Sequence, residues 1–178
     1  MDHIAKQDRS RKRIEIILET AEKILLEDGI DQVTIANISN RSGLKRTSTY
    51  KFFKTPEAIK SMLISNYLNM CALDFEEKTS NINTSEPSVV VMRSVEILFN
   101  FYSEHESAQK LLLSSSVILP FEKEPFHFLS NKIQSFVEMN ISLPDIFNKD
   151  GVFRVITQII LSIFALNTKE SGSLNEVG

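Results

Sequence analysis

At 178 residues and 42% apolar, the chain is long enough to bury one large core or two small ones, and it lacks the low hydrophobicity of a disordered segment. Five Gly and five Pro leave long stretches without breakers, which favours an all-α fold over many tight hairpins. The net charge of -3 is unpromising for a nucleic-acid binder, but residues 1–60 carry 12 Lys+Arg against 9 Asp+Glu and residues 61–178 carry 8 against 14. A basic first third joined to an acidic remainder fits one part that touches phosphate and another that does not.

The single cysteine, Cys71, excludes an internal disulfide and any multi-cysteine zinc site. It lies on a helical apolar stripe and reads as a buried, inert thiol. No apolar run reaches the ~18 residues of a membrane span. The start, MDHIAKQDRSRKR, lacks the apolar stretch of a signal peptide. The expectation is a soluble cytoplasmic protein with no membrane partner.

Residues 1–10 are polar and read as a mobile arm, with Arg9, Arg11, Lys12 and Arg13 leading into the first helix. Positive charge there opposes the helix dipole, so the arm reads either as a solvated helix start or as a phosphate contact. The first helix is predicted over about Ser10–Glu27. Ile14, Ile17, Leu18, Ala21, Ile24, Leu25 and Leu26 include the i, i+3, i+4, i+7 spacing of one buried face. Asp28-Gly29 stops it, with Gly29 free to turn left-handed.

Thr34 is a good N-cap for a second helix, whose inward side is Ile35 and Ile38. Ser39 is small where a larger side chain would hinder the next helix, and Gly43 follows four residues later in the turn. A third helix is predicted over about Lys45–Lys51. No acidic residue falls between Asp31 and Glu57, while Arg41, Lys45, Arg46, Lys51 and Lys54 crowd the turn and the third helix. A small residue, a glycine turn and a short basic helix form the pattern of a helix-turn-helix. Its Lys45, Arg46, Thr47 and Ser48 would be presented to base edges. Tyr50 offers a phenol, Phe52-Phe53 a hydrophobic plug, and Lys54 a phosphate contact.

Thr55-Pro56-Glu57 is a strong start for a fourth helix, predicted to run to about Lys78. TSNINTSEP, residues 79–87, is the clearest loop. A fifth helix follows from Pro87 to about Ser103, and a sixth from about Ser107 to Ser116 with Leu111, Leu112 and Leu113. Pro120 and Pro125 bracket a turn before a seventh helix to Asn140. The last helix, about Val152–Asn167, is apolar nearly all round: eleven of fifteen residues from Val152 to Leu166 are hydrophobic. A helix without a broad polar face is buried on more than one side, and a partner's copy in a twofold dimer would cover it. Val152, Val155, Ile156, Ile159, Ile160, Ile163 and Phe164 are the expected dimer residues. The tail from Thr168 reads as polar and frayed.

These residues together resemble the DNA-binding domain of the TetR family of transcriptional regulators. The resemblance covers about residues 11–60. It rests on Asp28-Gly29, Val33-Thr34-Ile35, Ile38-Ser39-Asn40-Arg41-Ser42-Gly43-Leu44, Tyr50, Phe53, Glu57 and Ile59. It implies that Thr34 and Tyr50 touch phosphates and that Lys45, Arg46, Thr47, Ser48 and Lys51 face the major groove. It also implies that the fourth helix links ligand to DNA and that the last two helices build a four-helix dimer bundle. The sequence departs from the family pattern at Thr47, usually glycine, at Thr49, usually leucine, and at Pro56, often a phosphate-binding lysine.

The domain division expected is residues 1–54 for the three-helix reading head and 55–178 for a helical ligand-binding and dimerisation domain. Ten of twelve phenylalanines follow residue 60, so the second domain is either a packed aromatic core or a core with a ligand pocket. Met70, Met92, Phe99, Tyr102, Phe126, Phe128 and Phe136 are the candidate lining. His3, His105 and His127 form no metal-ligand spacing, and no phosphate loop or nucleophile motif appears, which leaves an enzyme without its constellation. No cofactor or metal is expected. The function read from this is a repressor that binds double-stranded operator DNA as a homodimer and is released by an unknown small apolar or amphipathic effector. The alternative is a helical dimeric interaction module of the same fold without specific operator binding.

Overall fold

A computed structural model describes residues 2–114, 123–145 and 147–176 of the chain. The expected helix end at Ser116 and the turn residue Pro120 lie outside the described residues, as do the side chains of Leu112 and Leu113 and that of His3. The described residues form eight α-helices and a short 3-10 turn, without a strand: α1 (Asp2–Asp28), η1 (Ile30–Gln32), α2 (Ile35–Ser42), α3 (Arg46–Phe52), α4 (Pro56–Thr79), α5 (Pro87–Glu104), α6 (Glu106–Ser114), α7 (Lys123–Asn140) and α8 (Lys149–Ser171). The all-α expectation holds.

Contacts divide the chain into two compact units, Met1–Leu63 and Ile64–Gly178. The boundary falls inside α4 and not at the Thr55 helix start. Thr55 Oγ1 accepts the Ala58 N–H at 3.2 Å and so caps α4. No breaker follows in α4 until Thr79, so one continuous rod supplies Ile59 and Leu63 to the first core and Leu68, Cys71 and Phe75 to the second.

In the first unit the core is Ile17, Ala21, Ile24, Leu25, Val33, Ile35, Ile38, Phe53, Ile59 and Leu63. Ile17, Ala21, Ile24 and Leu25 turn inward as the periodicity of α1 predicts, but Leu26 lies off that face and is exposed, and the helix begins at Asp2 instead of near Ser10. Arg9 to Arg13 therefore lie on helix and not on a flexible arm. Gly29 has φ 88, the left-handed stop expected after Asp28.

In the second unit, α7 packs against α8, α6 against α8, and α5 against both α6 and α7. The centre is aromatic: Phe75 meets Phe136 edge-on at 5.9 Å, and Phe99 meets Phe164 at 6.0 Å. The tail reading needs correction. The helix runs on to Ser171, Gly172 closes it in the left-handed region, and Leu174 is buried. The Leu174 N–H donates to Gln109 Oε1 at 3.0 Å, and the Asn175 N–H to Asn167 Oδ1 at 3.0 Å. Two side-chain amides thus hold a segment whose composition reads as frayed.

Candidate nucleic-acid interface

The turn between α2 and α3 is three residues, Gly43 to Lys45. Gly43 takes φ 70, ψ 4 as the C-cap of α2. A Cβ there would meet nothing within 4 Å, so the backbone conformation, and not space, asks for glycine. The Leu44 N–H donates to Ser42 Oγ at 3.2 Å and tightens the bend. At the other end of α2, Thr34 is the expected N-cap: its Oγ1 accepts the Asn37 N–H at 3.2 Å. The hydroxyl proton remains to donate, which a phosphate oxygen would accept.

The exposed face of α3 is Arg46, Thr47, Tyr50 and Lys51, with Lys45 exposed at its N-cap and Lys54 just beyond its end. Thr49 is fully buried, Phe53 is nearly so, and Phe52 is half-buried. Ser48 is also half-buried, on the flank of the helix, and is less open to bases than its neighbours. One side of α3 is therefore core and the other is two cations, a hydroxyl and a phenol.

Charge sorts the basic residues. Arg41 forks onto α1: Nη1 reaches Glu27 Oε2 at 2.5 Å and Nη2 pairs with Asp28. Its role is to tie α2 to the end of α1. Among the described residues, Lys45, Arg46, Lys51 and Lys54 form no ion pair, so four cations converge around one short helix without a protein partner. Unneutralised cations in a row are what phosphate and guanine edges require.

Thr49 is where sequence reasoning fell short. Its Oγ1 lies 3.2 Å from Ser39 Oγ, a buried hydroxyl pair joining α2 to α3. The small residue and the unusual threonine were each visible; their pairing across ten positions was not.

The seven candidate pocket residues do not converge among the described residues. Tyr102 and Phe136 are packed core, 2% and 1% exposed. Burial pushes the Tyr102 phenol pKa well above its ordinary value. Met70 is exposed, and Phe128 lies under the Lys132 ammonium, 5.0 Å from the ring centroid. Met92 and Phe99 line a groove of about 640 Å³ between α5, α8 and the tail, while Phe126 lines another of about 720 Å³ with Phe147, Val152 and Arg154.

The expected dimer residues divide. Val152, Val155, Ile156, Ile159 and Ile163 are exposed, and Ile160 is half-buried. Phe164 is only 5% exposed and meets Phe99 edge-on and Tyr102 at a tilt, so it belongs to the chain's own core. By length and composition α8 could cross a membrane. Its buried face, Phe153, Thr157, Leu161, Phe164, Asn167 and Thr168, is instead fitted to the bundle.

A TetR-family transcriptional regulator from Streptomyces coelicolor superposes on 92% of this chain and 89% of its own, with a TM-score of 0.66 at 17% identity. The chain has the fold of the TetR family. A gamma-butyrolactone receptor, an ArpA-like protein, shares the TetR-family fold more distantly, with a TM-score of 0.50 and 11% identity over 89% of this chain and 81% of that one. In sequence, the HTH-type transcriptional regulator EthR of Mycolicibacterium smegmatis is 22% identical over 127 residues, 71% of this chain. That match spans 57% of the length of EthR. No family model matches the chain. Within the TetR-family fold, α2, the Gly43 turn and α3 are the helix-turn-helix.

Proposed function

We propose that the protein is a cytoplasmic DNA-binding transcriptional repressor. It acts as a homodimer, with α3 of each subunit in the major groove of a palindromic operator. The carrying observation is the face of α3: Lys45, Arg46, Lys51 and Lys54 unpaired, with Thr47 and Tyr50 between them. Arg41, equally basic, is tied to carboxylates and is left out of the interface. Thr34 and Tyr50 fit phosphates; Lys45, Arg46, Thr47 and Lys51 fit base edges. The names of the relatives, all regulators or receptors, support the same reading.

Release by a small amphipathic effector is the second half of the proposal. It is supported by the neighbour named as a gamma-butyrolactone receptor and by the groove at Phe126 and Phe147, whose apolar walls carry one guanidinium, Arg154. An effector shifts operator binding only by as much as it prefers the non-binding state.

The test is footprinting and titration on DNA flanking the protein's own gene. Replacing Lys45, Arg46 and Lys51 by Ala should weaken specific binding roughly 100-fold or more, given ~1–3 kcal/mol per base contact. It should also flatten the salt dependence. Arg41→Ala should leave affinity within about threefold, because it removes no DNA contact. A folded triple variant with unchanged affinity, or a genome-wide footprint without a sequence-specific peak, overturns this reading in favour of an interaction module.

A further inference from the structure

The second unit carries eight Lys and Arg residues. Five of them, Lys78, Arg93, Lys110, Lys132 and Lys149, pair with carboxylates within 3.0 Å. Lys123 and Lys169 are exposed, where water serves the charge. Arg154 is in neither class. It is half-buried, and among the described residues its guanidinium forms no ion pair and no hydrogen bond. Asp150 stands four residues before it on α8, a spacing from which the two could pair. Asp150 instead accepts from Gln134 of α7 at 3.1 Å, and Glu138 is taken by Lys149 at 3.0 Å.

The surroundings of Arg154 are apolar. Phe126 on α7, Phe147 just before α8, and Val152, Val155 and Ile156 on α8 wall the groove of about 720 Å³ in which it lies. Val155 is 59% exposed and the Phe147 ring 96%. A contiguous apolar wall left this bare marks a binding surface. Asn148 adds an amide to it. Its side chain lies over Gly151, where a Cβ would come within 2.2 Å of Asn148 Nδ2, so the glycine leaves room for a hydrogen-bonding group on the wall.

We propose that this groove binds an aliphatic carboxylate, its chain against the phenylalanine and valine side chains and its head on the Arg154 guanidinium. The inference rests on the effector reading above and names the class of ligand. A guanidinium offers a fixed fork of donors that one carboxylate accepts in pairs. A cationic ligand meets the wrong sign. A neutral apolar ligand would cover the guanidinium and leave it without a partner, which is costly. The same face of a second copy would bring another Arg154 and carboxylates that are already engaged.

Calorimetric titration of the full-length protein with hexanoate, octanoate and decanoate, each below its micelle concentration, tests the proposal. Affinity should rise roughly three- to fourfold for each added methylene that the groove buries. Arg154→Gln should weaken decanoate about tenfold or more, and Arg154→Lys should restore part of the loss. Decanol should bind more weakly than decanoate and equally to the parent and Arg154→Gln, and decyltrimethylammonium should not bind. Circular dichroism confirms that each variant is folded, and light scattering follows its mass.

Equal decanoate affinity in the parent and a folded Arg154→Gln overturns the assignment, as does the absence of binding by all three carboxylates. Binding that disappears as the mass doubles also overturns it, because the groove is then a seam between copies. Operator titrations separate the site from the effector reading. Decanoate that binds through Arg154 and leaves operator affinity unchanged upholds the site and refutes release. Decanoate that releases the operator equally from the parent and Arg154→Gln upholds release and refutes the site.

Discussion

Thr49 brings a hydroxyl into the middle of a three-helix head, where Ser39 meets it at 3.2 Å. A buried hydroxyl without a partner costs about 1–3 kcal/mol, whereas removing both members of a pair together is close to neutral. Thr49→Val should therefore destabilise the protein by about 1–2 kcal/mol in urea unfolding, and Ser39→Ala/Thr49→Val should recover most of that loss. Strictly additive losses would show that the two hydroxyls act separately. The residue scale also marks how far sequence reading reaches. The Thr34 cap and the Gly43 turn are legible because both are local: the cap bonds three residues ahead, and the turn needs one positive φ. Arg41 looks like its basic neighbours in sequence. Only the folding of α1 back past α2 puts Glu27 and Asp28 beside it and neutralises it.

Among the elements, α8 shows why apolar composition can announce a helix and still hide its faces. Ile163 and Phe164 are adjacent and equally apolar, yet one is 57% exposed and the other 5%. Which face turns inward is set by the aromatic rings waiting on α5, Phe99 and Tyr102, and the local pattern does not contain that information. The end of α8 carries the opposite lesson. Gln109 on α6 donates through Nε2 to the Tyr102 carbonyl at 2.9 Å and accepts the Leu174 N–H, joining the α5–α6 corner to the chain beyond Gly172. Removing that amide leaves the buried Leu174 N–H unsatisfied and takes one of two hydrogen bonds from the Tyr102 carbonyl, which keeps the His105 N–H at 3.3 Å. Gln109→Ala should cost about 2–3 kcal/mol and Leu174→Ala about the same, while Glu176→Ala should be neutral. Trypsin cleavage after the exposed Lys169 reports the release of the tail and should quicken in the first two variants only. Equal cleavage in all three would mean that neither anchor holds the tail.

For the whole molecule, the charge split between a basic first third and an acidic remainder pointed to a division of labour, and the two compact units follow it. The reading head was legible because a helix-turn-helix is written in short-range signals. Which residues of α8 stay exposed was not, because that depends on which faces adjoin in three dimensions. If the protein reads DNA as a paired molecule, its two heads must meet half-sites about one helical turn, ~34 Å, or a multiple apart. Inserting five base pairs at the operator centre turns the half-sites to opposite faces of the duplex. Affinity should then fall by roughly two orders of magnitude, the loss of an effective-concentration advantage, and an insertion of ten should restore part of it. Ile159→Glu, which places a charge on the exposed ridge of α8, should produce the same loss on the unaltered operator. It should also make binding depend steeply on protein concentration, with the sequence-independent, salt-sensitive component unchanged. Gel-shift titrations at two protein concentrations separate these effects. If Ile159→Glu is monomeric by mass yet binds the full operator as tightly as the parent, a single head is sufficient and pairing has another purpose.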